Sequence, residues 1–190
     1  MYKKQMILQR IVCYALLIAA VLVFIYSLGI VTDLYDSLFP YADSSKRKFV
    51  TGADIYYNIQ PFNKQFTVAG IALILSAVSI FVFNTHKRRK YYVGNYIAIG
   101  LNSALTIGVS VWGILNVVKY KKMYYEIDFE ALERWQELLK KPCDISPFWF
   151  NVGFYVFGIA ISAAVLGVLN LVFKVLVMRS ERMLLEGGAV

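Results

Sequence analysis

The stretch Val93–Val118 reads VGNYIAIGLNSALTIGVSVWGILNVV and contains no charged residue. A helix needs about 20 mostly apolar residues to cross a bilayer, because the hydrocarbon core is about 30 Å thick and each residue rises about 1.5 Å. The stretch therefore predicts a transmembrane span. Because lipid offers no hydrogen-bond partners to the backbone, a helix is favoured over a strand.

Three further apolar stretches have the same character. They cover residues 11–31, 66–83 and 148–178, and Lys174 is the only charged residue in them. Apolar residues make up 59% of the chain and charged residues 17%, against about 45–50% and about 25% in soluble domains. We predict an all-α integral membrane protein, a four-transmembrane-helix bundle that forms one domain over residues 1–190. Its outer loops would cover residues 32–65 and 119–147.

The first stretch also has one feature of a cleaved signal peptide, because Lys3, Lys4 and Arg10 precede it. The apolar core of a signal peptide is about 7–15 residues long, which is shorter than this stretch. Ser27 and Gly29 form a poor cleavage site. An uncleaved first span is therefore the favoured interpretation.

Basic residues are densest on the side of the two termini. The N-terminus, the short loop after the second span and the C-terminal tail together hold ten basic and two acidic residues, which accounts for the net charge of +8. Such clusters favour the cytoplasmic side, although Lys119, Lys121 and Lys122 beside the third span oppose this assignment. We predict cytoplasmic termini in a plasma membrane. No Asn-x-Ser/Thr sequon lies in the outer loops, which fits a bacterial membrane.

The basic cluster in the short loop consists of Lys87, Arg88, Arg89 and Lys90. Lysine and arginine at cytoplasmic helix ends attract anionic lipid headgroups. We predict that role for the cluster rather than nucleic-acid binding. Lys174, near the end of the fourth span, is expected to extend its ammonium group to the same headgroups.

The third span has a polar face and a face of small residues. At about 100° per residue, the polar face consists of Asn95, Asn102, Thr106, Gly113 and Asn116. The opposite face carries Gly100, Ala104 and Gly108. Small residues four apart let helices approach closely, and similar pairs occur at Ala72 and Ser76, Gly158 and Ser162, and Ala163 and Gly167. We therefore expect the third span at the centre of a compact bundle.

Two hypotheses explain the asparagines. They could form hydrogen bonds between helices, each contributing about 0.6–2 kcal/mol, or they could line a path for a small solute or ion. A conduit normally contains ionisable groups or a broken helix, and the third span shows neither. Hydrogen bonding between helices is therefore favoured.

The second outer loop predicts an amphipathic helix over Phe129–Lys141, capped by Asp128 and ended by Pro142. Its apolar face offers candidates for an outer interaction surface, with packing against the protein's own spans favoured over a partner: Phe129, Leu132, Trp135 and Leu139. In the first outer loop, the residues Ile55–Ile59 predict one or two short strands or an aromatic lid.

The sequence offers no catalytic, cofactor-binding or metal-binding constellation. No Asp, Glu or His lies in the four apolar stretches, and His86 is the only histidine. Cys13 and Cys143 are the only cysteines and are expected near opposite membrane faces, which excludes a C-x-x-C redox pair. We therefore expect a protein that is not an enzyme and has no cofactor.

Three functions remain open. The favoured one is a non-catalytic subunit or scaffold that packs with other membrane proteins or with itself. The second is a small oligomeric channel or transporter subunit, with a polar path lined by the asparagines of the third span. The third is a membrane sensor whose outer loops bind a ligand.

Overall fold

The computed structural model describes residues 2–32, 38–42, 50–84, 93–143 and 146–187. Five helices occur in this part of the chain: α1 (Tyr2–Thr32), α2 (Ile55–Asn84), α3 (Val93–Tyr125), α4 (Phe129–Leu139) and α5 (Phe148–Gly187). All except α4 are long and apolar enough to cross a membrane. In the described residues, the structure confirms the prediction of an all-helical protein with four helices that are long and apolar enough to be membrane spans.

The four long helices form a ring in which each packs against two neighbours. α1 contacts α2 and α5, and α3 contacts the same two helices. Interhelical contacts pair the first half of one helix with the second half of its neighbour, as in Tyr14 with Phe81 and Trp149 with Gly29. The bundle is therefore antiparallel, and α3 occupies one corner instead of the centre that we expected. We call the end with Gln5 and Lys174 the terminal end, and the opposite end the α4 end.

The prediction of strands in Ile55–Ile59 is wrong, because this segment is the first part of α2. Its apolar residues follow helical spacing, and the side chains that point into the core are Ile55, Ile59, Phe62 and Phe66. Burial along one helical face outweighs the strand propensity of Ile55, Tyr56 and Tyr57.

Aromatic side chains fill the core at the α4 end. Phe66 of α2 is surrounded by rings from every long helix, with centroid distances of 6.3 Å to Tyr26, 5.9 Å to Trp112 and 5.7 Å to Phe157. Phe62 stacks on Phe66 at 5.3 Å. The surface that faces away from the core is instead rich in exposed aliphatic side chains. Such a surface suits lipid, which is as apolar as the side chains themselves.

α4 lies across one end of the bundle and is capped as predicted. The Asp128 side chain accepts a hydrogen bond of 3.0 Å from the Ala131 amide. The helix ends at Leu139, and Lys140 adopts a left-handed conformation with φ of 52°. The residues just before α4 pack against the turn before α2: Asp128 N donates to the Thr51 carbonyl at 3.1 Å.

Gly52 is required in this turn. Its φ is +86°, and a Cβ atom added there would lie 2.9 Å from the Ile127 Cα. Any other residue would combine left-handed strain with a backbone clash. Gly52 therefore allows the close contact between the turn before α2 and the turn between α3 and α4.

Tyr41 ties the segment between α1 and α2 to the residues after α4. Its side chain is fully buried, and its hydroxyl donates a hydrogen bond to the Lys141 carbonyl. Burial raises the pKa of the Tyr41 phenol above its usual range, and the nearby Cys143 thiol raises it further. The phenol consequently stays protonated, and able to donate, throughout the neutral pH range.

Candidate functional site

The polar face of α3 points into the bundle. Asn95, Asn102 and Thr106 are buried there, and Gly113 faces the Phe157 ring. Asn116 is only partly buried, and its Nδ2 donates to the Trp112 carbonyl of its own helix at 2.8 Å. The structure therefore brings four of the five residues of the predicted polar face onto the inner side of α3.

Asn102 connects α3 to α2 through a hydrogen bond. Its Nδ2 donates to Ser76 Oγ at 2.6 Å, and Asn102 is 1% exposed. One residue further along α3, the buried Ser103 lies opposite Gly167 of α5, where an added Cβ would come within 2.6 Å of Ser103 Oγ. The hydrogen bond from Asn102 thus holds α3 close to α2, and the lack of a side chain at Gly167 lets α3 pack close to α5.

Asn102→Leu is expected to lower the free energy of unfolding by about 0.6–2 kcal/mol, because the interhelical hydrogen bond is lost. Reversible denaturation in detergent measures this loss. Combining Asn102→Ala with Ser76→Ala in a double-mutant cycle isolates the pair. A coupling energy of zero, together with a solute flux that Asn102→Leu abolishes in proteoliposomes, would contradict a bonding role and favour a polar path.

The small-residue face of α3 points away from the bundle. Ala104 and Gly108 are exposed, and a Cβ at Gly108 would meet nothing within 4 Å in the described part of the chain. A Cβ at Gly100 would only touch Leu171, at 3.9 Å. Among the described residues, the predicted close approach of another helix to this face does not occur at Gly108, and at Gly100 it is limited to the Leu171 side chain.

A second uncovered surface of small residues lies between α1 and α5. An open groove of about 610 Å³ lies there on the surface of the bundle. At its floor, a Cβ on Gly158 would meet nothing within 4 Å among the described atoms. The groove lies at the middle of α1 and along the first half of α5, and its lining includes Ala15, Ile18, Tyr155, Gly158, Ser162 and Leu166.

At the terminal end, polar side chains from α1, α3 and α5 meet in the core. Gln5 Nε2 donates to Gln9 Oε1 at 2.9 Å and lies 3.4 Å from Asn170 Oδ1. Lys174 is 3% exposed, so the prediction that its ammonium extends to the headgroups is wrong. Its Nζ instead lies 4.5 Å from the centroid of the Tyr96 ring.

Sequence reasoning did not identify Gln5, Gln9 and Asn170 as members of a cluster. Their spacing was the available signal, because Gln5 and Gln9 are four residues apart, as are Asn170 and Lys174. Residues at this spacing share a helix face. Recognising that the two faces meet requires knowing that α1 and α5 are neighbours, which the sequence alone does not show.

The apolar face of α4 packs mainly against the protein itself. Leu132 is buried, Phe129 and Trp135 are half-buried, and the Phe129 ring lies 5.5 Å from Tyr124. Leu139 is exposed. Three of the four residues predicted for an outer interaction surface thus pack wholly or partly against the protein itself. This agrees with the favoured interpretation, in which the helix packs on the protein's own spans.

The structure assigns no metal site and no headgroup site among the described residues. In the described ranges, no group of three or more His, Cys, Asp or Glu side chains could hold a metal ion. The predicted headgroup cluster Lys87, Arg88, Arg89 and Lys90 lies outside the described residues.

Compared with family models, curated proteins and solved structures, this chain shows no match.

Proposed function

We propose that this protein is a non-catalytic membrane subunit or scaffold that packs against a transmembrane helix of another membrane protein or of a second copy. The groove between α1 and α5 carries the proposal. It combines an uncovered glycine, Gly158, with an exposed serine, Ser162, and a continuous apolar lining. Helices associate in lipid through close backbone packing at such residues.

The outward-facing ridge on α3 supports the same function independently. Gly108 and Ala104 leave the α3 backbone accessible from the lipid side. Asn95 and Asn102, by contrast, lie inside the bundle of a single chain. A polar path between copies would need these asparagines on the outer surface, so their burial favours the packing function over the channel hypothesis.

We further propose that the bundle spans a plasma membrane with both termini in the cytoplasm. An even number of spans puts the termini on one side, and the dense basic residues at that side support the cytoplasmic assignment. A reporter that is active only in the cytoplasm, fused to either terminus, tests this orientation.

Gly158→Leu tests the groove. A Cβ atom at Gly158 would meet nothing within 4 Å in the described part of the chain, so the leucine side chain can project into the groove, and leucine favours a helix more than glycine does. Stability should therefore be retained, while the yield of copurified membrane partner, or of dimer, falls about five- to tenfold. The measurement is purification from native-host membranes in mild detergent, followed by mass spectrometry and sizing.

Ala72→Leu is the matched control, since it adds similar bulk to an exposed position of α2 outside the groove. It should leave association unchanged. A wild-type chain that purifies as a monomer without any membrane partner would contradict the proposal. Association that Gly158→Leu leaves intact would assign the groove to lipid instead.

A further inference from the structure

A lysine lies beside the groove between α1 and α5, towards the α4 end. Lys121, near the end of α3, reaches across to α5, where its Nζ donates a hydrogen bond of 2.8 Å to Asn151 Oδ1. The same Nζ lies 5.6 Å from the centroid of the Phe154 ring, and Phe154 is part of the groove lining. The Phe154 side chain therefore joins the apolar groove to a cation at its edge.

Neither of these contacts neutralises the charge of Lys121. An amide oxygen and an aromatic ring both attract an ammonium group, but neither carries a negative charge. Asn151 is exposed and lies seven residues before Gly158, which is about two helical turns and therefore the same face of α5. A helix that packs on Gly158 would thus pass close to the Lys121 ammonium.

The register between α3 and α5 shows which residue a second copy would bring to this point. Gly113 lies against Phe157, and Ser103 lies against Gly167. The two helices run in opposite directions, so Lys122 is level with the first turn of α5. Copies that insert with the same orientation share one depth in a bilayer, and the same levels therefore hold between neighbouring copies.

A second copy suits the groove poorly because of its charges. Its exposed small-residue face on α3 carries Lys122 about four turns after Gly108, on the same side of the helix. Docked in the groove, that face would bring Lys122 to within about one turn of the level of Asn151, and so beside Lys121. The nearest acidic residue on this face, Glu126, lies a further turn away from the groove. Like charges at this distance repel each other, which favours a partner that brings a carboxylate.

We propose that the groove takes a transmembrane helix of another protein, which carries an aspartate or glutamate facing Lys121. This inference rests on the proposed packing function and names the chemistry of the partner. Small residues of the partner helix would face Gly158 and Ser162, where backbones can approach closely. Its carboxylate would lie about two turns, or seven residues, nearer the α4 end, where it accepts a charge-assisted hydrogen bond from Lys121. Such a pair selects among partners that fit the groove equally well.

Synthetic transmembrane peptides test the charge pairing on the full chain in phosphatidylcholine vesicles. The probe is a leucine-rich helix with a Gly-x-x-x-Ser pair and a glutamate seven residues from the glycine, made in both chain directions. The matched peptide carries glutamine in place of glutamate. Fluorescence energy transfer from labelled peptide to labelled chain gives both affinities. The glutamate peptide should bind about five- to tenfold more tightly than the glutamine peptide, and added salt should reduce this preference.

Lys121→Gln should abolish the preference for glutamate while both peptides still bind, because the groove itself is unchanged. Lys121→Glu should reverse the preference, so that a peptide with lysine in place of the glutamate binds best. Lys119→Gln is the matched control. Lys119 is exposed at the same end of α3, but its Nζ lies over the Tyr120 ring, 5.2 Å from the centroid, instead of beside the groove. This variant should keep the wild-type preference.

Equal binding of the glutamate and glutamine peptides to the wild type would overturn the charge pairing but leave the packing function standing. If neither peptide binds, packing at the groove fails and the pairing fails with it. A preference that disappears when phosphatidylglycerol is added would assign Lys121 to lipid headgroups. Tighter binding of a second labelled copy than of the glutamate peptide would assign the groove to self-association. Either of these last two results also overturns the proposal.

Discussion

Gly113→Leu is expected to destabilise the bundle by about 3 kcal/mol or more, at the upper end of the cost of overpacking a core. A Cβ atom at Gly113 would already overlap three carbons of the Phe157 ring, before the rest of the leucine is added. Phe157 cannot easily move, because it is fully buried and lies 5.5 Å from Tyr26 and 5.7 Å from Phe66. The helices α3 and α5 would have to separate.

Gly108→Leu is the matched control on the same helix. A Cβ atom at Gly108 would meet nothing within 4 Å in the described part of the chain, so the stability of this variant should equal or slightly exceed that of the wild type through better helix propensity. Steric trapping or reversible denaturation in detergent gives both free energies. Combining Gly113→Leu with Phe157→Ala should recover part of the loss. Equal stability of the two leucine variants would show that α3 does not pack on α5 through Gly113.

The spans were predictable because lipid imposes a simple requirement on composition. Each apolar stretch lies within one long helix, but the helices extend beyond the stretches, as α2 does from Phe66 back to Ile55. The charge-free apolar stretch that predicted the second span begins at Phe66, just after Lys64 and Gln65. The extension of α2 follows instead from burial of Ile55 and Ile59 against the rest of the protein, which no single stretch of sequence reveals.

The candidate site was predictable in part, because helical periodicity shows which residues share a face of one helix. The periodicity of Asn95, Asn102 and Thr106 indicated a shared face, and that face is buried. Periodicity could not show which of the two faces of α3 would meet other helices, so the small face was expected to pack, whereas Gly108 meets no other helix among the described residues. Nor could it show that Lys174 bends towards Tyr96, because that contact joins residues of two different helices.

Phe66→Ala is expected to lower the free energy of unfolding by about 2–3 kcal/mol, somewhat less than the 3–5 kcal/mol typical of soluble cores. The difference has a physical cause. Lipid chains are as apolar as a phenyl ring, so exposing or burying the ring changes its solvation little in a membrane. The cavity left behind still removes dispersion contacts with the surrounding rings. Those contacts are extensive, since Phe66 is fully buried among rings of all four long helices.

Leu75→Ala on the same helix separates the cavity effect from side-chain truncation in general. Leu75 is 63% exposed, and lipid can occupy the space that its side chain leaves, so the expected loss is below about 0.5 kcal/mol. Both variants are measured by the same denaturation in detergent or bicelles, with far-UV circular dichroism as the readout. A loss at Phe66 no larger than that at Leu75 would mean that the aromatic cluster does not hold the four helices together. A larger loss at Phe66 would identify the cluster, rather than the hydropathy of the spans, as the main source of cohesion at the α4 end.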